Sequence, residues 1–299
     1  MVAFGDIERA FRRGASAGMR YAARRYPEQP LVARWNRYRR RRATPGILLC
    51  TLPKSGSTYI HHALTTGLGK EILRAGGGGL FPNQAIPNES LNELNRRRAV
   101  YLVHCEPSRY NKIEISNRLE RMIVHVRDPR QAILSWAHFI PHVVRFVDPV
   151  QGLHYGLPRK FFDWNFHSQL DWQIDNFLPK FVNWVRQWYE TSGDPSFETR
   201  ILFTTNELLA QDPSEFFARI LGFYGIDRDL FSEPHPPVSG ALHVRSAKPD
   251  EWRTVFTQEQ ALRASSMLPS ELCTFFGWQQ LTGEQAVLAA SAPLRTTAA

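Results

Sequence analysis

This 299-residue chain is poor in cysteine, and it contains no uninterrupted apolar run close to the ~20 residues that a membrane-spanning helix needs. Its three cysteines, Cys50, Cys105 and Cys273, are odd in number and show no C-x-x-C spacing. We therefore expect buried thiols in a reducing compartment rather than a disulfide framework. The first residues also lack the charged-then-apolar pattern of a secretory signal, which predicts a cytoplasmic protein.

The excess of positive charge is confined to the start of the chain. The formal net charge is +9, and residues 1–44 contain twelve arginines against three acidic side chains, so the rest of the chain is balanced. Phe4, Ile7 and Phe11 recur at helical spacing between these arginines. The segment is predicted to be a basic amphipathic extension that either contacts an anionic membrane or packs on its own domain. We expect no nucleic-acid binding, because no aromatic platform or docking fold accompanies the arginines.

Short apolar runs alternate with helical sequence after a turn-like break at residues 44–46. Strands are predicted at residues 46–52, 99–105, 122–126 and 200–205. This βαβ pattern predicts an α/β fold with a central parallel sheet flanked by helices. We predict one domain over residues 45–280 and a disordered tail over 281–299. Residues 76–79 and 82–90 are predicted to form a mobile loop, either a lid over a bound acceptor or only a connector.

The most informative segment is 53–59, P-K-S-G-S-T-Y, which follows the first predicted strand and opens a helix predicted over 57–68. A strand that runs into a Gly/Ser/Thr turn and a helix start directs backbone N–H groups and the positive end of the helix dipole at a phosphate. In the nucleoside-triphosphate loop, G-x-x-x-x-G-K-[ST], the lysine follows the second glycine, whereas here Lys54 precedes Gly56. The segment therefore predicts a phosphate loop of another kind.

This segment resembles the 5′-phosphosulfate loop of sulfotransferases that use 3′-phosphoadenosine 5′-phosphosulfate (PAPS), and three further segments resemble motifs of the same family. Residues 123–136, I-V-H-V-R-D-P-R-Q-A-I-L-S-W, resemble its 3′-phosphate motif, in which Arg127 is followed eight residues later by Ser135. Residues 101–107, Y-L-V-H-C-E-P, resemble the strand that ends in the catalytic His-x-x-Pro. Residues 244–257 resemble the R-K-G-x-x-G-D-W-K…F-T segment, with several departures.

The resemblance implies a P-loop-like sulfotransferase that transfers the sulfuryl group of PAPS to a hydroxyl by in-line displacement, without a metal. It implies that His104 is the general base and that Lys54 stabilises the departing oxygen. The implied co-substrate ligands are Lys54, Ser55, Gly56, Ser57, Thr58, Tyr59, Arg127, Ser135, Arg245 and Ser246. Leu102 and Ser246 stand where many members of the family have lysine, and Asn206-Glu207 stands where a Glu-Asp pair is common.

Several alternatives remain open from the sequence. Glu106 is the alternative base, and the acceptor is a small molecule, a lipid or a glycan. Two functions are alternatives to sulfuryl transfer: a nucleotide-binding module with little or no turnover, and a P-loop kinase that uses ATP and Mg²⁺. His138 and His142 have the i, i+4 spacing of zinc ligands but no third partner in the pattern, so they are interpreted as structural.

Overall fold

The computed structural model describes residues 44–73, 81–146, 152, 155–233 and 250–281. Five strands lie in one sheet: β1 Ile47–Thr51, β2 Ile72–Leu73, β3 Val100–Val103, β4 Arg121–Val126 and β5 Arg200–Thr205. Their order is β2-β3-β1-β4-β5, and all four pairings are parallel. The predicted parallel α/β fold is thus confirmed, and the short edge strand β2 is the one element of the sheet that the sequence did not predict.

The central strands are buried on both faces, which explains why their sequences are continuously apolar. Leu48 and Cys50 of β1 belong to one hydrophobic core cluster, whereas Ile47 and Leu49 belong to a second cluster on the opposite face. This alternation follows the two-residue period of a strand.

Helices cover both faces of the sheet within the described residues. They are α1 Ser57–Gly67, α2 Asn88–Arg97, α3 Arg109–Ser116, α4 Pro129–Phe146, α5 Phe166–Asn176, α6 Leu178–Ser192, α7 Asn206–Gln211, α8 Pro213–Tyr224, α9 Trp252–Val255, α10 Gln258–Ser266 and α11 Ser270–Phe276. No helix in the described part of the chain is both long and apolar enough to cross a membrane.

Several helices begin at residues whose side chains cap the first turn. The Asp212 carboxylate accepts a hydrogen bond from the backbone N–H of Glu215, and Thr257 forms a reciprocal capping box with Gln260. The Asp128 carboxylate accepts the backbone N–H of Arg130 at 2.9 Å at the start of α4. These caps supply acceptors to first-turn N–H groups that have no partner inside the helix.

The aromatic side chains of α6 pack into the core. Phe181, Trp184 and Trp188 are almost completely buried. All three cysteines are buried and free, and the Sγ atoms of Cys50 and Cys105 lie 3.6 Å apart.

Residues 82–90 differ from the mobile loop that the sequence predicts. Helix α2 already begins at Asn88, and Ile86 is fully buried. The Asn111 side chain binds this segment twice, since its amide donates to the Gln84 carbonyl at 2.9 Å and its oxygen accepts the Ile86 N–H at 3.0 Å. A distant asparagine therefore orders a stretch whose composition is typical of a loop. Residues 76–79 lie outside the described residues.

Candidate active site

The loop after β1 adopts a backbone conformation that few residue types tolerate. Lys54 and Gly56 both have positive φ, 66° and 87°. A Cβ atom added to Gly56 would lie 2.9 Å from Nδ2 of Asn206, so this position requires glycine. Alternation of left-handed and right-handed residues gathers successive N–H groups into an anion-binding concavity.

The loop N–H groups of residues 55–58 make no hydrogen bond to any described residue. The loop carbonyls, in contrast, are bonded to the protein. The carbonyl oxygen of Ser55 accepts His125 Nε2–H at 2.7 Å and Asn206 Nδ2–H at 3.0 Å. The buried Ser55 hydroxyl donates to the carbonyl of Leu52 at 2.6 Å. The loop thus presents donors at the start of α1, where the helix dipole also favours an anion.

His104 follows the last residue of β3, and its ring is held in one tautomer. Its Nδ1 lies 2.8 Å from the carbonyl oxygen of Thr51 and 3.0 Å from the Thr51 hydroxyl. A carbonyl oxygen can only accept, so Nδ1 carries the proton and Nε2 carries a lone pair. Burial and then the positive charge of Lys54 lower the pKa of His104, although the bond to Thr51 opposes them. The ring is therefore a neutral base with Nε2 as its proton acceptor.

Lys54 connects the loop to helix α4. Its ammonium lies 3.8 Å from the centre of the Phe139 ring, within the range of a cation–π contact. Its charge also acts on His104. The two residues predicted to be catalytic therefore lie at the same edge of the sheet, where β1 and β3 end.

Arg127 follows β4 and lies against the loop. It is only 6% exposed, and its Nη1–H donates to the carbonyl of Lys54 at 3.2 Å. Ser135 is half-buried two turns into α4. Tyr59 is half-buried beside Phe217, with ring centres 6.3 Å apart, and burial raises its pKa. The roles of these residues toward a nucleotide stay predictions.

Glu106 lies beyond the strand, because β3 ends at Val103. His104 lies just beyond β3 as well, so the alternation of a strand does not relate the two side chains, and Glu106 as the alternative base stays a prediction. Burial raises the pKa of its carboxyl group.

Arg245 and Ser246 lie outside the described residues, but the segment that follows them is firmly docked. The guanidinium of the fully buried Arg130 binds the Asp128 carboxylate at 2.7 Å and lies 4.2 Å over the Trp252 ring. The backbone N–H of Trp252 donates to the side-chain oxygen of Gln131 at 3.0 Å. These contacts attach the C-terminal motif to the first turn of α4.

Among the described residues, no group of three or more His, Cys, Asp or Glu side chains is arranged to hold a metal ion. The His138 ring stacks on Phe166 with centres 4.5 Å apart.

Comparison with known proteins assigns the family. Residues 44–235 match the model of the sulfotransferase domain, so the chain belongs to the sulfotransferase family. No curated protein is significantly similar to it in sequence.

Two solved structures are similar to this chain. Mouse sulfotransferase SULT7A1 complexed with PAP is 15% identical, with a TM-score of 0.47 over 82% of this chain and 88% of that chain. A sulfotransferase from Alicyclobacillus acidocaldarius is 13% identical, with a TM-score of 0.42 over 76% of this chain and 96% of that chain.

The sequence did not assign roles to His125 and Asn206. His125 lies in an apolar strand, and its sequence context alone does not distinguish a packed ring from one that binds a loop. The sequence shows Asn206 only as a departure from the family pattern. The bonds of His125 and Asn206 to the Ser55 carbonyl join residues that are 70 and 151 positions apart in the chain.

Proposed function

We propose that this sulfotransferase takes PAPS as its donor and sulfates a hydroxyl group, with His104 as general base and Lys54 as the residue that stabilises the leaving oxygen. The observation that carries the proposal is the arrangement around Lys54. The N–H groups of residues 55–58 and Nε2 of the neutral His104 ring have no hydrogen-bond partner among the described residues.

The loop fits the phosphosulfate end of the donor. Its N–H groups are directed to an anion by the positive φ of Lys54 and Gly56 and by the start of α1. Gly56, half-buried Ser57 and exposed Thr58 open that helix, and Tyr59 in its first turn is proposed to flank the adenine ring. The Ser55 side chain stabilises the loop through its bond to Leu52, and its backbone N–H is proposed to bind the ligand.

The 3′-phosphate is proposed to bind Arg127 and Ser135, together with Arg245 and Ser246. A guanidinium and hydroxyls are suited to a phosphate dianion because each donates charge-assisted hydrogen bonds. ATP has no 3′-phosphate, so these residues would discriminate between the two nucleotides.

In the reaction, the acceptor oxygen bonds to sulfur while the bond from sulfur to the 5′-phosphate oxygen breaks. His104 Nε2 takes the acceptor proton, and 3′,5′-adenosine bisphosphate leaves with the electron pair of the broken bond. A positioned base of this kind contributes ~10²–10⁴-fold. The Lys54 ammonium and the loop N–H groups offset the charge that develops on the departing oxygen.

Thermal melting tests the donor assignment. We expect 3′,5′-adenosine bisphosphate to raise the melting temperature of the full chain more than ATP with Mg²⁺ does, because binding to the native state stabilises it. A preference for ATP would indicate a P-loop kinase. Stabilisation by the bisphosphate without transfer from labelled PAPS to any alcohol would indicate a binding module without turnover.

We propose a small molecule, a lipid or a glycan as the acceptor, and peripheral contact of residues 1–44 with anionic membrane in the cytoplasm. A panel of alcohols from these three classes, with labelled PAPS, identifies the acceptor. Flotation of the full chain and of a variant without residues 1–44 on anionic and neutral vesicles tests the membrane contact. Equal flotation of both chains would refute it.

A further inference from the structure

We propose that His125, assisted by Asn206, is a positioning residue that turns the 55–56 peptide so that its N–H faces the 5′-phosphate of the donor. The proposal rests on the proposed function. It deepens that function by assigning a role to a buried histidine that does not itself touch the ligand.

The direction of the peptide follows from its hydrogen bonds. The peptide between Ser55 and Gly56 is trans. In a planar trans peptide the C=O and the N–H point in opposite directions. His125 Nε2–H at 2.7 Å and Asn206 Nδ2–H at 3.0 Å draw the Ser55 oxygen into the protein. The N–H of Gly56 therefore points away from them, out of the loop.

The neighbouring peptide is oriented by Arg127, the residue that follows β4. Arg127, two residues after His125, donates to the carbonyl of Lys54 at 3.2 Å. His125 in β4 and Arg127 directly after it therefore bind two successive loop carbonyls. The N–H groups of Ser55 and Gly56 are both directed outward as a result.

The tautomer of the His125 ring follows from its two partners, the Ser55 carbonyl and the Thr204 hydroxyl on β5. The Thr204 hydroxyl lies 2.9 Å from His125 Nδ1, and both residues are buried. Because the Ser55 carbonyl can only accept, Nε2 carries the proton and Nδ1 accepts from Thr204. Burial is the main cause that lowers the pKa of His125, to about 4, so the ring stays neutral near pH 7. An imidazole locked in this tautomer is a fixed donor to the loop.

Calorimetric titration with three probes tests the proposal: 3′,5′-adenosine bisphosphate, adenosine 3′-monophosphate and inorganic pyrophosphate. We expect His125→Leu to weaken the bisphosphate and pyrophosphate by ~10-fold, the effect of one lost hydrogen bond in a charged site. Binding of the 3′-monophosphate, which has no 5′-phosphate, should change by less than about twofold, since the 3′-phosphate residues are unaltered. His125→Gln keeps an N–H donor and should recover most of the affinity.

Two outcomes would overturn the proposal. Equal weakening of both adenosine nucleotides would mean that His125 supports the fold in general. A His125→Gln variant as weak as His125→Leu would mean that the ring, not its N–H, is what matters.

Thr204→Val and Asn206→Ala keep the test usable if His125→Leu does not fold. Each should weaken binding of the bisphosphate and pyrophosphate selectively, and unchanged affinity in both would contradict the proposal. Thr199→Val is the matched control, because its buried hydroxyl donates to the Leu119 carbonyl at 2.6 Å, next to the opposite end of β5. It should lower the melting temperature without changing any of the three affinities.

The pyrophosphate series separates this inference from the proposed function. If the wild-type chain preferred ATP to the bisphosphate, the donor assignment would fail. The selective loss of pyrophosphate binding in His125→Leu would still support the loop assignment, and no such loss would overturn it.

Discussion

Trp188 donates its indole N–H to the carbonyl oxygen of Cys105 across 3.0 Å, and Cys105 is the residue that follows His104. The same oxygen accepts the indole N–H of Trp184 at 2.8 Å and the thiol of Cys50 at 3.3 Å. Helix α6 and strand β1 thereby hold the backbone beside His104 in place. The aromatic stripe on α6 is a core element that also positions the proposed base.

Trp188→Phe keeps an aromatic ring but removes one of these donors. We expect the free energy of unfolding to fall by at least about 1 kcal/mol, because one buried hydrogen bond is lost and the smaller ring leaves a cavity. Turnover should fall while bisphosphate affinity stays unchanged, because the loop at residues 53–59 is held by other contacts. Initial rates at saturating donor measure the turnover, and calorimetric titration measures the bisphosphate affinity. Trp172→Phe, on α5, is the control, and an equal fall in its turnover would show that the effect is not specific to the Cys105 contact.

His104→Ala should lower the rate of sulfuryl transfer by ~10²–10⁴-fold, because it removes the group that accepts the acceptor proton. Bisphosphate affinity should stay within about twofold, since the phosphate ligands are intact. Glu106→Gln, measured in parallel, should retain most activity. If Glu106→Gln were the inactive variant and His104→Ala the active one, the base would be the carboxylate.

Lys54→Met should slow the chemical step and also shift the pH profile. The rate falls as the pH drops through the pKa of His104, because only neutral imidazole accepts a proton. The Lys54 charge adds to burial in lowering that pKa, so its removal should move the acid limb to higher pH. Lys54→Arg keeps the charge and should leave the limb in place. An acid limb that does not move in Lys54→Met would contradict the assigned contact.

Arg127→Ala should discriminate between nucleotides. We expect the affinity for 3′,5′-adenosine bisphosphate to fall at least ~10-fold more than that for adenosine 5′-monophosphate, since a bound phosphate loses charge-assisted hydrogen bonds. In addition, the affinity for each nucleotide should fall by a smaller and equal factor, because Arg127 also binds the Lys54 carbonyl of the loop. Competition assays with the two nucleotides give the ratio, and equal losses would remove Arg127 from the 3′-phosphate site.

The buried His125 should make the fold sensitive to acid. Its pKa is about 4 in the folded protein, against about 6.5 in an unfolded chain. The unfolded state therefore binds more protons between these values, and stability falls as the pH drops from 6.5 to 4, by up to about 3 kcal/mol. Urea unfolding across this window should show a smaller decline in His125→Gln than in the wild type. An identical decline in both chains would refute the assignment.

Local chemistry was enough to predict the main elements. The apolar runs of β1, β3, β4 and β5 and the caps at Asp212 and Thr257 are properties of short segments. The phosphate loop at residues 53–59 could also be predicted, because a strand, a glycine turn and a helix start follow one another directly in the chain.

The tertiary structure decided what those segments do together. The tautomer of His104 depends on Thr51, the direction of the Gly56 N–H depends on His125 and Asn206, and the order of residues 82–90 depends on Asn111. Each of these bonds joins residues 20 or more positions apart, and no local pattern encodes a distance between two strands. Sequence determined which groups the site contains, while the packing of parallel strands side by side determined which of their atoms carry protons and where those atoms point.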